Sequence, residues 1–147
     1  MDTPIVIRSA ALEDSAALAG LMTALGYPST PEQMQRRLVE HAQSKLNAVF
    51  VAVAEAQVVG LISFHCSPTF HVDSSLGRIT SLVVDSGHRR SGIGQRLVEA
   101  AEEFARASGC ARVEVTSGDH RADAHAFYEQ LGYHADCRRF IKRMDAV

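Results

Sequence analysis

Residues 78–117 constrain the fold more than any other part of this chain. An apolar, β-branched run, RITSLVVD, leads into the turn SGHRRSGIG, then into QRLVEAAEEFARASG, then into a second β-type run, ARVEVTS. Ile93, Leu97, Ala101 and Phe104 recur at helical spacing, with Glu99, Glu102, Glu103 and Arg106 on the other side. Gly109 supplies a stop. A strand, a helix and a strand in that order make a crossover. Such a crossover is right-handed and its two strands run parallel. Residues 78–84 and 111–116 are therefore expected side by side in one sheet.

The rest of the chain has to complete that sheet. PIVIR reads as a first strand. LEDSAALAGLMTALG reads as a helix with Leu18, Leu21, Met22 and Leu25 at helical spacing, Asp14 to cap it and Gly26 to end it. Thr30, Pro31 and Gln33 form a capping box with proline at the first helical position, and Met34, Leu38 and Ala42 give that helix its apolar face. Only Glu55, Ala56 and Gln57 separate the runs NAVFVAVA and VVGLISFH, which predicts a hairpin. CSPTFHVDSSLG reads as a polar loop, ADAHAFYEQLG as a short helix ended by Gly132, and YHADCRRFIKRM as closing strands. Hairpins combined with one crossover unit give a mixed α/β sheet flanked by helices. With 147 residues and no repeat or linker, one domain is expected.

A formal net charge of −2 gives no reason to expect a nucleic-acid or membrane partner, and the arginine pairs at 36–37, 89–90 and 138–139 are scattered. The three cysteines, Cys66, Cys110 and Cys137, are odd in number and far apart, which argues against a disulfide framework or a zinc knuckle and for a reducing compartment. MDTPIVIRSA has no signal-peptide pattern, and no apolar stretch approaches the ~18 residues of a membrane span. Cytoplasm is the expected location.

The stretch RRSGIGQRL holds the chemistry. Two glycines, Gly92 and Gly94, stand at the start of a long helix. The first N–H groups of a helix have no partner within it, its dipole favours an anion there, and glycine lets a ligand come close. A phosphate cradle built on the N–H groups of residues 91–95 follows, with Arg89 and Arg90 able to add charge-assisted bonds. The nucleotide P-loop is excluded because Gln95 follows Gly94, and the dinucleotide fingerprint is excluded because Leu97 occupies its third glycine.

Read together, LVVDSGHRRSGIGQRLVEAAEEFARASGC and AHAFYEQLGY resemble the GCN5-related N-acetyltransferase (GNAT) family. Arg89, Gly92 and Gly94 match its Arg/Gln-x-x-Gly-x-Gly/Ala signature. Phe127, Tyr128, Gly132 and Tyr133 match its tyrosine-bearing helix ending in Gly-Phe/Tyr. The resemblance covers the whole chain and implies one domain over 1–147, with six to seven strands and about four helices. It implies acetyl-CoA as donor and direct transfer to an amine in a ternary complex. Arg89, Arg90, Ser91, Gly92, Ile93, Gly94 and Gln95 would hold the pyrophosphate. Leu82 and Val84 would hold the pantetheine as an added strand does, and the N–H of Val83 or Val84 would polarise the acetyl carbonyl. Phe127 and Tyr128 would also line the cofactor site. His120 stands where the family often has a CoA-contacting asparagine. Within the family the aminoalkylphosphonate N-acetyltransferases are the most similar subgroup.

Tyr128 has a phenol with a pKa near 10, close to that of an alkyl thiol, and is expected to protonate the leaving thiolate of CoA. The general base is open among His65, His71 and His125, with Asp73 or a water relay as further candidates. Relatives carry acids on the strand before the glycine loop, where this chain has Arg78 and Ser81. Arg78, His71 and Asp73 are substrate candidates, and Arg78 suits an anionic acceptor. His65, His71 and Asp73 are also weak candidates for a divalent metal, because His-x5-His-x-Asp is no known tight ligand motif. Two other activities are open: a CoA-binding regulatory module without catalysis, and a protein or peptide N-acetyltransferase. A homodimer through the closing strands is a further expectation.

Overall fold

Five strands form one sheet in sequence order: β1 (Ile5–Ser9), β2 (Asn47–Ala54), β3 (Gln57–Pro68), β4 (Ser75–Val84) and β5 (Cys110–Val115). β1 to β4 are antiparallel neighbours, and β4 and β5 run parallel, as the crossover requires. Helices α1 (Ser15–Leu25), α2 (Pro31–Ala42), α3 (Ile93–Ala107) and α4 (Ala122–Gln130) complete the elements. The structure is a computed structural model that describes residues 4–116, 122–136 and 138–145. These belong to two compact units, Met1–Thr116 and Ser117–Val147. The first holds the sheet with α1 to α3, and the second holds α4.

Alternation along β3 separates two apolar layers. Leu61 joins Val51 and Val83 under Leu18, Ala19 and Leu21 of α1 and Met34 of α2. Phe64 faces the other way and meets the edge of Phe104 of α3 at 5.9 Å. α3 buries Ile93, Leu97, Val98, Ala101 and Ala105, the apolar stripe read from the sequence. Two glycines on this side leave little room for a side chain. A Cβ on Gly60 would come within 3.2 Å of Leu97, and one on Gly77 within 2.4 Å of the Phe64 ring.

Local signals set most boundaries. Thr30 accepts from the Gln33 N–H at 3.2 Å while Gln33 Oε1 accepts from the Thr30 N–H at 2.9 Å. Gly26 ends α1 with φ 112°. The β2–β3 hairpin turns on Glu55 and Ala56, both left-handed at φ 51° and 65°. Asp14 is an exception. Its carboxylate makes no capping bond to α1 and instead accepts from the Ala11 N–H and from both Arg8 Nη groups, at 2.7, 2.8 and 2.9 Å.

Two expectations change. The loop expected over 66–77 shrinks to 69–74, because Cys66, Ser67 and Pro68 pair with Gly77, Leu76 and Ser75. A ladder needs backbone groups only, and proline is harmless at a strand's end. Among the described residues the sheet has five strands rather than six or seven, since residues 133–136 and 138–145 form none. Arg138, Arg139, Lys142 and Arg143 crowd that run with like charge, which opposes cross-strand pairing. Its Phe140, Ile141 and Met144 stay exposed. No helix among the described residues is long and apolar enough to cross a membrane.

Candidate functional site

The loop between β4 and α3 is drawn together before the helix begins. Asp85 accepts from the His88 N–H at 2.9 Å and lies 3.2 Å from His88 Nδ1, and the Ser91 hydroxyl donates to the His88 carbonyl. Arg90 and Gly92 are left-handed, with φ 67° and 81°. Left-handed residues of this kind turn successive N–H groups toward one side and make anion-binding nests. The first bond of α3 runs from the Arg96 N–H to the Gly92 carbonyl at 3.1 Å, and no side chain caps the helix. The N–H groups of Ile93, Gly94 and Gln95 therefore precede the helical ladder. A Cβ on Gly92 would meet nothing within 4 Å. Arg89 and Arg90 are exposed and make no ion pair among the described residues. Uncapped donors, free cations and open space fit a diphosphate.

The preceding strand presents an open edge. β4 pairs with β5 only as far as Ile79 opposite Val115. Residues 80–84 have no strand beside them on that edge among the described residues. The Asp85 N–H reaches the Val59 carbonyl at 2.7 Å, and the register continues with Gly60 opposite Val84, Leu61 opposite Val83 and Ile62 opposite Leu82. Residues 61 and 83 are then the next hydrogen-bonded pair. The N–H groups of Leu82 and Val84 point to the open edge, and that of Val83 points to β3. A bulge lies just upstream, where the register slips between Ser63 and Phe64 and Thr80 is the extra residue. The Ser63 hydroxyl binds both neighbours across it, Thr80 Oγ1 at 2.6 Å and Ser81 Oγ at 2.8 Å.

On the α1/α2 side a cavity of about 90 Å³ is lined by Leu18, Met22, Met34, Leu38, Val49 and Leu61, with Ser63, Ser81, Arg37 and His41 as its polar groups. Ser81 directly precedes Leu82. Three strands carry a polar row on this face. His65 lies opposite Arg78, and Arg78 lies opposite Glu114. Arg78 Nη2 is 3.2 Å from Glu114 Oε1, and Arg112 also pairs with Glu114 at 3.2 Å. His65 is half-buried. Burial first, then the charges of Arg78 and His41, hold its pKa below the ordinary value. It is a neutral imidazole at pH 7 and able to accept a proton.

The candidate residues are thus distributed unevenly. Leu82, Val83, Val84 and residues 89–95 form one continuous segment of the first unit. Arg78 and His65 share a face with the cavity. His71 and Asp73 are exposed in the 69–74 loop, apart from that row in sequence. Among the described residues no group of three His, Cys, Asp or Glu side chains is placed to hold a metal, so His65, His71 and Asp73 make no such group. Phe127, Tyr128 and His125 are half-buried on α4 in the second unit. Tyr128 packs edge-on against Phe127 and Tyr133 at 5.1 and 5.7 Å, and its carbonyl accepts from the Tyr133 N–H at 3.0 Å after the left-handed Gly132. His120 lies outside the described residues. Sequence reasoning missed Glu114, Arg37, His41 and the Ser63–Thr80–Ser81 hydroxyl chain. Alternation in ARVEV could have put Glu114 on a face with Arg112, but its partner Arg78 is 36 residues away.

A glycine-loop helix start, an open strand edge upstream of it and a sheet in this order define a class. The chain matches the family described as "Acetyltransferase (GNAT) family" over residues 16–133, and it belongs to that family. Among similar proteins, the aminoalkylphosphonate N-acetyltransferase of Salmonella typhimurium is 37% identical over 94 residues, 64% of this chain and 61% of that one. A solved transcriptional regulator from Bacillus halodurans C-125 is 26% identical with a TM-score of 0.88, covering 96% of this chain and 100% of its own. An aminoglycoside N-acetyltransferase solved in complex with CoA shares the fold at a TM-score of 0.87 and 16% identity, over 97% of this chain and 96% of its own.

Proposed function

We propose that residues 1–147 work as one acetyl-CoA-dependent N-acetyltransferase domain that acetylates a primary amine on a small, anion-bearing molecule by direct transfer. The observation that carries this reading is the uncapped, exposed glycine loop continuous with the open edge of β4, in a chain of this family. The CoA complex of a protein with the same fold supports the donor. Bound acetyl-CoA supplies an acetyl group activated as a thioester.

The chain's residues then have separate tasks. N–H groups of residues 91–95, helped by Arg89 and Arg90, hold the diphosphate. Leu82 and Val84 hold the amides of the pantetheine arm through the open edge. One of their N–H groups, rather than that of Val83, donates to the acetyl oxygen as negative charge develops on it. His65 takes the amine proton through water, since three residues along β3, roughly 10 Å, separate it from the Ile62–Leu82 pair. Tyr128 delivers a proton to the departing thiolate. His71, Asp73 and His125 have no catalytic task in this scheme.

The acceptor bears an anion as well as its amine. Arg37 and His41 line the cavity, and Arg78 lies on the same face. Glu114 offsets part of that charge by pairing with Arg78. The Salmonella relative, an aminoalkylphosphonate N-acetyltransferase, agrees with this acceptor class. Cytoplasm is the proposed location. Exposed Phe140, Ile141 and Met144 support a contact between two copies, which light scattering would test.

One observation favours a second reading, CoA binding without catalysis. The Bacillus halodurans structure is described as a transcriptional regulator. Thiol release from acetyl-CoA, measured over aminoalkylphosphonates, amino acids, polyamines and aminoglycosides with and without a divalent metal, separates the two. Turnover greatest on the phosphonates supports the first reading. Micromolar CoA binding with no turnover on any amine overturns it in favour of the second.

A further inference from the structure

Cys66 and Cys110 are 44 residues apart in the chain, yet their sulfurs lie 2.8 Å apart in the fold. Cys66 pairs with Gly77 on one edge of β4, and Cys110 pairs with Ser75 on the other. β4 thus runs between them, through Ser75, Leu76 and Gly77. Both cysteines are free thiols, Cys66 buried and Cys110 half-buried. The roughly 2.05 Å of a disulfide bond is less than about 1 Å shorter than this contact, and closing it also draws the strands on either side of β4 together, since a disulfide holds its Cα atoms within about 7 Å.

We propose that Cys66 and Cys110 form a redox modification site, a dithiol that closes to an internal disulfide on meeting a small-molecule disulfide such as oxidised glutathione. Cys110 is the sulfur that solvent reaches. Its thiolate attacks one sulfur of the oxidant, forming a mixed disulfide and releasing one glutathione thiolate, which takes up a proton. Cys66, after losing its own proton, attacks Cys110 Sγ. That step forms the internal bond and expels the second glutathione. In total two protein thiols lose two electrons and two protons, and the oxidant's S–S bond becomes two thiols.

The surroundings set the pace. Burial first, then the hydrogen bond to Cys66, pushes the Cys110 thiol up to about 12. Little thiolate exists near neutrality, so this is a slow lock rather than a fast sensor, and its rate should rise about tenfold per pH unit between 7 and 9. The bond would close a loop holding all of β4, the glycine turn and α3. Loop closure of that length in the unfolded chain should raise the melting temperature by about 10 °C.

The test uses the full chain with Cys137→Ser, so that only these two thiols remain. It is incubated at pH 8 with oxidised glutathione. The expected results are loss of both titratable thiols, a mass lower by two hydrogens, a cross-linked peptide joining 66 to 110, and a rise in melting temperature of about 10 °C that dithiothreitol reverses. Cys110→Ser in the same background should show none of these. Persistence of both thiols, or a stable glutathione adduct on Cys110 without the cross-link, overturns the proposal.

Discussion

Replacing Gly92 by alanine separates the glycine's conformational role from its role in binding. Gly92 has φ 81°, where an alanine costs about 1–2 kcal/mol. Its Cβ would meet nothing within 4 Å, so no steric penalty is added. In a chain of 147 residues that strain lowers the melting temperature by about 5 °C. Binding should suffer more. The new methyl narrows the open space at the loop and should displace one charge-assisted hydrogen bond to a diphosphate, worth about 1.5–3 kcal/mol. CoA affinity should fall by about 10- to 100-fold. Gly92→Asn sharpens the comparison. Asparagine tolerates the left-handed conformation and should recover roughly half of the lost stability, but it still places a Cβ in the cradle. Thermal melts and titration calorimetry with CoA on all three proteins decide the matter. If CoA affinity is unchanged in both variants, or returns in the asparagine variant along with stability, the diphosphate does not lie against Gly92.

Other perturbations probe the remaining parts. Tyr128→Phe should lower kcat by about 10- to 100-fold and leave the KM for acetyl-CoA within about twofold, by steady-state kinetics; equal loss in both would mean a packing role. For His65, whose folded pKa is depressed, the neutral form is favoured by folding, so stability should be lost as pH falls from about 6.5 through the folded value; in melts between pH 8 and 5 the parent should lose stability relative to His65→Gln, whose side chain stays neutral, and the acidic limb of kcat/KM should disappear in the variant. Gly77→Ala forces a Cβ to 2.4 Å from the buried Phe64 ring, which Phe104 pins from one side, and should cost about 3 kcal/mol, seen as a loss of roughly 10 °C in thermal melts. Ala56→Gly relieves a left-handed alanine in the β2–β3 turn and should add about 1 kcal/mol in urea unfolding with no change in activity.

What could be read from the sequence followed the range of the interactions. β2 was legible to the residue, because NAVFVAVA is a β-branched run ended by a tight turn. The capping box of α2 and the stripe of α3 were equally local. Asp14 misled because its cap was judged by position, whereas Arg8 and the Ala11 N–H had stronger claims on its carboxylate. Polar residues at 66–68 and 75–77 suggested a loop, since the ladder that makes them strands depends on partners across a turn. The glycine loop could be located because one segment contains it whole. The His65–Arg78–Glu114 row and the Cys66–Cys110 contact each need partners from two or three strands, and no spacing along the chain announces them.

The unfinished edge of β4 has a further consequence for the protein's life in a crowded solution. A bare strand edge is an invitation to intermolecular sheet growth. Here the Thr80 bulge breaks the ladder on one side and the turn at Asp85 ends it on the other. Only Leu82 and Val84 present outward N–H groups between those limits. An invading chain would find too short a template to hold its register, whereas a thin ligand with a few amides needs no more than that.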